Sequence, residues 1–399
     1  VRLPNKSFCV LPWISLETSP IGTVRPCCLA DHELHSDSGA VFNLASADFD
    51  TIRNSKEMQR LREQFLAGQQ PETCRRCWAE ESAGRTSKRL HTLDRLEHIV
   101  ADTDWTPDAK PLVFLDLKLG NICNLKCRIC GSWSSSTYAV EELANEPNPK
   151  SSWHYQMLRA GRWPRETPAF WAEIARASSE LRYLEFTGGE PFMIQEHFDF
   201  LQRLVDLGLA GQIEIHYNTN GTHYPESAEA IWQHFRLVEI AFSIDDVADR
   251  FEYQRSGAVW DRVTANIERF RQLRARTSNI QLQVCSTVNV FNVLYLAELS
   301  LWHEQQAFDF VYWNMMHDAE YFSIASLPES AKARVAERLR HAAVAPATLA
   351  EFDRIVEFML NGQSQDGSRT REEIRRVDQR RGENLRSAHP ELADLLGYA

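Results

Sequence analysis

The sequence predicts an α/β fold in which six strands alternate with helices to form a curved, incomplete barrel, with a cysteine-rich segment before it and a helical segment after it. Three observations carry this expectation. Between residues 110 and 320, short strand-like runs alternate with helical patterns, which indicates βαβ units and a parallel sheet. Several of those runs are polar on one side, so the sheet is expected to curve around a polar concave face. Nine cysteines fall in short-spaced groups rather than in the scattered pattern of a disulfide scaffold, which favours soft-metal ligation.

The segments divide as 1–105, 106–322 and 323–399. In the first, five cysteines lie among turn signals such as Ser19-Pro20, Ile21-Gly22 and Gln70-Pro71. One amphipathic helix is expected near Ser55–Ala67, with Met58, Leu61 and Phe65 on a single face. That is too little apolar pattern for an ordinary core, and a bound metal centre is expected to supply the missing cohesion. In the second, the expected strands are Leu112–Leu119, Leu181–Thr187, Ile213–Asn218, Val238–Ile244, Ile280–Val290 and Phe308–Asn314. Along Ile280–Val290 the residues Gln281, Gln283, Cys285, Thr287 and Asn289 share one face and Ile280, Leu282, Val284 and Val288 the other; Glu214, His216 and Asn218 repeat this split. An antiparallel sheet with one wet face is the alternative, and the intervening helices argue against it. The third segment reads as helices, ending in a stretch from Arg369 to Arg386 with seven Arg against four acids, a solvated face or a phosphate or peptide contact.

Composition narrows the function. The 44 Lys and Arg against 55 Asp and Glu give a net charge of −11, so a field that would hold nucleic acid or an anionic membrane is not expected. No apolar run has the length of a membrane span, and the opening VRLPNKSFCV lacks a basic segment followed by a signal-peptide core. A cytoplasmic location is the expectation.

The first barrel strand runs into Cys123-Asn124-Leu125-Lys126-Cys127-Arg128-Ile129-Cys130. Gaps of three and two residues put three thiolates on one tight loop at the C-terminal edge of the sheet, where βα loops carry chemistry. Three thiolates on a four-iron cubane leave one iron open to a small molecule. Zinc is the alternative, but structural zinc takes four ligands and the next His or Cys is as far off as His154.

This loop resembles the cysteine motif of the radical S-adenosylmethionine (SAM) superfamily. Other segments fall where that family would place them: Thr187 with Gly188-Gly189-Glu190-Pro191 after the second strand, Asn218-Thr219-Asn220-Gly221 after the third, Ser243 and Asp245 at the end of the fourth, then Arg255. The resemblance implies a partial (βα)6 TIM-like barrel, a [4Fe–4S] cluster on Cys123, Cys127 and Cys130, and SAM on its open iron. It further implies that Gly188, Gly189, Glu190 and Pro191 meet the SAM amino group, Ser243 its ribose and Arg255 its carboxylate. Thr187, Asn218, Asn220 and Asp245 are expected beside the cofactor. Many relatives carry an aromatic residue before the third cysteine, where this chain has Ile129, an aliphatic side chain to cover adenine.

Cys9, Gly22, Cys27 and then Cys74-Arg75-Arg76-Cys77 resemble the auxiliary-cluster modules called twitch or SPASM, here preceding the barrel. The further cysteines of a full SPASM module are missing, so a single auxiliary [4Fe–4S] cluster of twitch type is the expectation. Its ligands would be Cys9, Cys74, Cys77 and either Cys27 or Cys28, with Cys27 preferred for its distance from Gly22. Structural zinc on the same thiolates is the alternative.

What the resemblance implies is reductive cleavage of SAM to a 5′-deoxyadenosyl radical that abstracts a substrate hydrogen, with an electron donor such as flavodoxin or ferredoxin. An auxiliary cluster suits oxidative modification of a peptide or peptide-like substrate. Dehydrogenation or rearrangement of a small sugar, cyclitol or amino-acid-derived metabolite is the enzymatic alternative, and a non-catalytic metal-binding scaffold the alternative of another class. Glu185, His216, Glu239, Asp245 and Asn289 are expected to line the substrate cavity; Tyr312, Trp313, His317 and the excursion 132–163 would form walls or a lid, and Cys285 a hydrogen donor or a small core residue.

Overall fold

A computed structural model describes residues 3–316 and 319–398. Its strands are β1 (Ser15–Thr18), β2 (Val24–Arg25), β3 (Phe114–Lys118), β4 (Tyr183–Thr187), β5 (Glu214–Thr219), β6 (Leu237–Ser243), β7 (Ile280–Val288) and β8 (Phe310–Met315). They form one sheet in the order β2-β1-β3-β4-β5-β6-β7-β8. β1 pairs parallel with β3, β3 with β4, β4 with β5, and β7 with β8, while β2 runs antiparallel to β1. With helices between the strands from β3 onward, this is the expected α/β class and is consistent with the incomplete barrel. The six expected strands are all present, each trimmed or shifted by one or two residues where the flanking apolar residue leaves the hydrogen-bonded ladder.

The chain packs as two compact units. The first comprises Val1–Cys123, Ser132–Tyr217 and Pro225–Glu239; the second comprises Asn124–Gly131, Asn218–Tyr224 and Ile240–Ala399. In the first, the N-terminal segment is better packed than its sequence pattern suggests. Phe8, Trp13 and Phe65 are wholly buried, and Phe8, Trp13 and Trp105 meet with ring centroids 4.7–5.5 Å apart. These aromatics come singly from short elements, so no window shows a period. The expected helix is there as Lys56–Leu66, capped by the Ser55 side chain, with Met58, Leu61 and Phe65 buried. Its surprise is Arg62, also fully buried, which donates to the carbonyls of Pro12, Pro107 and Arg53 and so ties two short helices and a loop to its own helix.

In the second unit the segment beyond β8 is helical, with helices Glu329–Arg340, Pro346–Asn361, Ser368–Arg381, Leu385–Ala388 and Pro390–Leu395. Phe352, Ile355, Val356 and Met359 form the buried stripe of the second of these, and Ile374 and Val377 that of the third. The Arg-rich stretch is therefore an amphipathic helix with an embedded face. Among the described residues, no helix is long and apolar enough to cross a membrane.

An N-terminal core of this kind has a measurable consequence. Trp13→Ala in iron-free protein is expected to lower the unfolding free energy by about 3–5 kcal/mol in urea titration. A loss below roughly 1 kcal/mol would mean that the aromatic cluster does not hold the segment.

Candidate functional site

The loop of three cysteines is shaped by its main chain. In the first unit, Gly120 leaves β3 with φ +94°, and the Cys123 N–H donates to Ser136 Oγ at 3.2 Å while Thr137 Oγ1 donates to the Cys123 carbonyl at 2.5 Å. In the second, the Lys126 N–H donates to the Ser256 carbonyl at 3.0 Å and the Arg128 N–H to the Gln254 carbonyl at 2.8 Å. Cys127 is buried, Cys123 half-buried and Cys130 exposed, and none is in a disulfide. Arg255 places Nη1 3.9 Å from the Cys127 sulfur and donates through Nη2 to Asp245 Oδ2 at 2.6 Å. A hydrogen bond from the Cys130 thiol, helped by the Arg255 charge and opposed by burial, brings the Cys127 thiol down to about 7. The Arg255 Nε is buried without a hydrogen-bond partner. An unspent guanidinium donor near a thiol that ionises readily fits an anionic ligand next to a thiolate-held metal centre.

The Gly-Gly segment packs on the start of that loop. The Glu190 N–H donates to the Ile122 carbonyl at 2.7 Å, and a Cβ on Gly189 would stand 2.2 Å from the same oxygen, so only glycine fits. Gly188 sits at φ +102°. Glu190 is wholly buried and accepts from the Phe192 N–H, which caps the short turn begun by Pro191. Thr187 Oγ1 lies 3.4 Å from Asp116 Oδ1. In the second unit Asp245 accepts the Thr287 N–H at 2.8 Å as well as Arg255. Asn220 bonds Asn124 and Thr222, and Asn218 accepts from the Tyr312 hydroxyl. Ile129 and Ser243 are partly exposed.

Among the nine cysteines, Cys9, Cys27, Cys74 and Cys77 line one small cavity together with Leu11, Leu29, Phe65 and Arg89. Cys74 ends a 3-10 turn and Cys77 lies in the first turn of the following helix, Arg75–Ser82; Asp31 ties the Cys27 loop to them through Arg75 at 2.5 Å and Arg76 at 3.0 Å. Burial and mutual repulsion push the Cys27 thiol up to about 11 and raise the other three, as expected of thiols whose charge awaits a metal. Among the described residues, no three His, Cys, Asp or Glu side chains already converge on one ion position. The apolar walls and four sulfur donors fit an iron–sulfur centre. Cys28 points elsewhere, into the surroundings of Lys88, Asp116, Glu185 and Lys118.

Asp116, Lys118 and Glu185 belong to the polar face of the sheet, where Glu17, Asp116, Glu185 and His216 stand in one row across β1, β3, β4 and β5. The structure spends this row internally. Lys118 bridges Glu17 and Asp116, Arg25 grips Glu17 with two bonds of 2.9 Å, and Lys88 meets Glu185 at 2.6 Å. Arg95 pairs with Glu214 and Glu239, and His216 Nδ1 lies 3.1 Å from Glu239. Lys88 and Arg95 both come from the helix Lys88–Val100, so Glu185 and Glu239 meet cations of the chain, and His216 meets Glu239. Sequence reasoning missed this helix's role because a charged helix face ordinarily signals solvent. Asn289 likewise bonds the Thr287 carbonyl and Gln254, Cys285 is buried 3.7 Å from Asn314 Nδ2, and Trp313 packs on His303 and Phe352. His317 lies outside the described residues. A separate cavity of about 370 Å³ is lined by Arg25, Asp31, His32, Glu33, His35 and Trp133, the last from the 132–163 excursion.

Burial opposes ionisation of Glu185 and Glu239, yet Lys88 and His216 for the first, and His216 and Arg95 for the second, hold both at about 2. Depressed carboxylates stabilise the fold above their unfolded value of 4.5, and that contribution is lost as pH falls toward 2. Urea unfolding is therefore expected to show stability declining through this window. Lys88→Met should flatten the decline, and an unchanged slope would remove the pair from the account.

A model of the radical SAM superfamily matches residues 117–283, and a model of the SPASM iron–sulfur cluster-binding domain matches residues 9–78. No curated protein sequence matches the chain. Solved structures that match include native anSMEcpe with bound AdoMet, 16% identical with a TM-score of 0.37, covering 57% of this chain and 59% of that one. Another is Streptococcus suis SuiB bound to precursor peptide SuiA, 14% identical with a TM-score of 0.34, covering 77% of this chain and 58% of that one. The chain thus spans less than two thirds of either structure's length. The domain matches imply a [4Fe–4S] cluster, SAM and auxiliary iron–sulfur, which favours iron–sulfur over zinc at the N-terminal thiols. The chain thus carries a radical SAM domain over residues 117–283 and, before it, a SPASM iron–sulfur cluster-binding domain over residues 9–78.

Proposed function

We propose that the chain reductively cleaves SAM and takes a hydrogen atom from a peptide or peptide-like substrate that it modifies oxidatively. The observation supporting the oxidative part is the cavity lined by Cys9, Cys27, Cys74 and Cys77. Four ligands from the chain leave no iron open to substrate there, which suits electron transfer. Cys123, Cys127 and Cys130 would hold a cluster that, with SAM, would supply reductive cleavage to the 5′-deoxyadenosyl radical, and Cys9, Cys27, Cys74 and Cys77 would hold one able to take up the electron that the substrate gives up with a proton.

The chain's own residues bind and orient. Arg255, fixed by Asp245 and with Nε unspent, is assigned to the SAM carboxylate. Asp245, held by the Thr287 N–H, orients Arg255 rather than touching the cofactor. Gly188 and Gly189 let the main chain approach the ligand, and buried Glu190 and Pro191 keep that turn in shape. Ile129 and Ser243 are assigned to adenine and ribose, while Asn218, Asn220 and Thr187 brace neighbouring turns. A small reduced protein such as flavodoxin or ferredoxin would deliver the electron.

Anaerobic incubation with SAM and dithionite should release 5′-deoxyadenosine and methionine, and Cys127→Ala should abolish both. Cys77→Ala should keep 5′-deoxyadenosine formation, lose substrate oxidation, and drop iron from about eight to about four per chain. Turnover by Cys127→Ala would refute the assignment of the cluster. Deuterium passing into 5′-deoxyadenosine from a labelled small metabolite but from no peptide would refute the substrate class.

A further inference from the structure

The residue between Cys127 and Cys130 that carries a full charge is Arg128, and its side chain is wholly buried. Its Nε donates to the Tyr253 carbonyl at 2.9 Å, and its guanidinium lies 3.6 Å from the Tyr253 ring centroid. Its Nη2 bonds two carboxylates of the C-terminal segment, Asp378 at 2.5 Å and Glu383. Asp378 is itself saturated: Tyr253 and Tyr398 donate their hydroxyls at 2.9 Å, and the Leu385 N–H donates at 2.9 Å. Glu383 accepts from Ser256 Oγ at 3.0 Å, in the same strip whose carbonyl receives the Lys126 N–H. The helix Ser368–Arg381 thus presents a buried acceptor to the middle of the cysteine loop, across 250 residues of chain.

From this network we infer that Asp378 is a positioning residue for the cysteine loop, holding the Cys127–Cys130 segment in its ligand-ready shape through Arg128. The inference deepens the proposed function and rests on the assignment of Cys127 and Cys130 as cluster ligands. With Asp378 removed, this deeply buried charge keeps only the more exposed Glu383 as a carboxylate partner, so the loop rather than the helix is expected to yield. The Arg-rich C-terminal stretch then has a role: it carries the acid that locks the loop, with Arg381 contributing positive potential at Cys127.

The test has two arms on the full chain. In iron-free protein, the rate of iodoacetamide labelling is followed thiol by thiol by mass spectrometry for wild type, Asp378→Leu, Arg128→Met and the double variant. Tyr398→Phe, which removes one hydrogen bond to Asp378, serves as the milder change should the others fail to fold. Asp378→Leu is expected to speed labelling of Cys127 about tenfold or more while Cys9 stays within about twofold. The double variant should match Arg128→Met alone, because Asp378 acts through Arg128. In reconstituted holoprotein, Asp378→Leu should release about half the iron to a ferrous chelator faster than wild type. Unchanged Cys127 labelling, or an equal rise at Cys9, would overturn the inference. If wild type holds no iron at the loop, the proposed function fails while the labelling arm still decides whether Asp378 sets the loop.

Discussion

Main-chain hydrogen bonds together with the buried Arg128 side chain, rather than the sulfurs, set the shape of the loop from Cys123 to Cys130, and the chemistry attributed to this protein depends on that division of labour. The Glu190 N–H holds the Ile122 carbonyl just before the loop, and the Ser256 and Gln254 carbonyls receive the Lys126 and Arg128 N–H groups within it. With backbone donors satisfied in this way, the sulfurs need contribute nothing to the fold. Gly189 is required for the first of these contacts because any side chain would strike the Ile122 oxygen. The glycine pair therefore serves the cysteine loop as much as a ligand.

Electrostatics separate the two thiol groups. Cys127 is drawn toward its ionised form by Cys130 and Arg255, whereas burial pushes Cys9, Cys27, Cys74 and Cys77 the other way. A set of four thiols lining one small cavity gains most from a metal that takes their protons' place, so binding and N-terminal stability are coupled there. The aromatic cluster of Phe8, Trp13 and Trp105 supplies a foundation alongside that coupling. On the polar face of the sheet, meanwhile, Lys118, Arg25, Lys88 and Arg95 hold Glu17, Glu185 and Glu239 below the ordinary carboxylate range despite burial, whereas burial raises Asp116 between them.

What could be read in advance followed from local signals. Short strand-like runs between helical patterns located all six barrel strands, period-two alternation marked a polar face in two of them, and the N-terminal helix announced itself by the Met58, Leu61, Phe65 stripe. The cysteine spacings singled out the loop, and the position of Gly22 favoured Cys27, the residue that lines the four-thiol cavity. What was hidden is long-range. β1 and β2 are too short to show a period, and they join the sheet only through pairing with β3 about 100 residues away. The partners of Glu185 and Glu239 come from a helix whose charges look like a solvated face. Arg128 could be seen in the motif, but no spacing rule points from it to Asp378.

The most direct measurement is low-temperature electron paramagnetic resonance of reconstituted, dithionite-reduced Cys74→Ala/Cys77→Ala protein, recorded before and after SAM is added. With the auxiliary ligands removed, the remaining signal should be that of a reduced [4Fe–4S] centre and should change in g-values on addition, because SAM occupies an iron that the three cysteines leave open. A signal that SAM leaves unaltered, or the lack of any cluster signal attributable to Cys123, Cys127 and Cys130, would contradict the account.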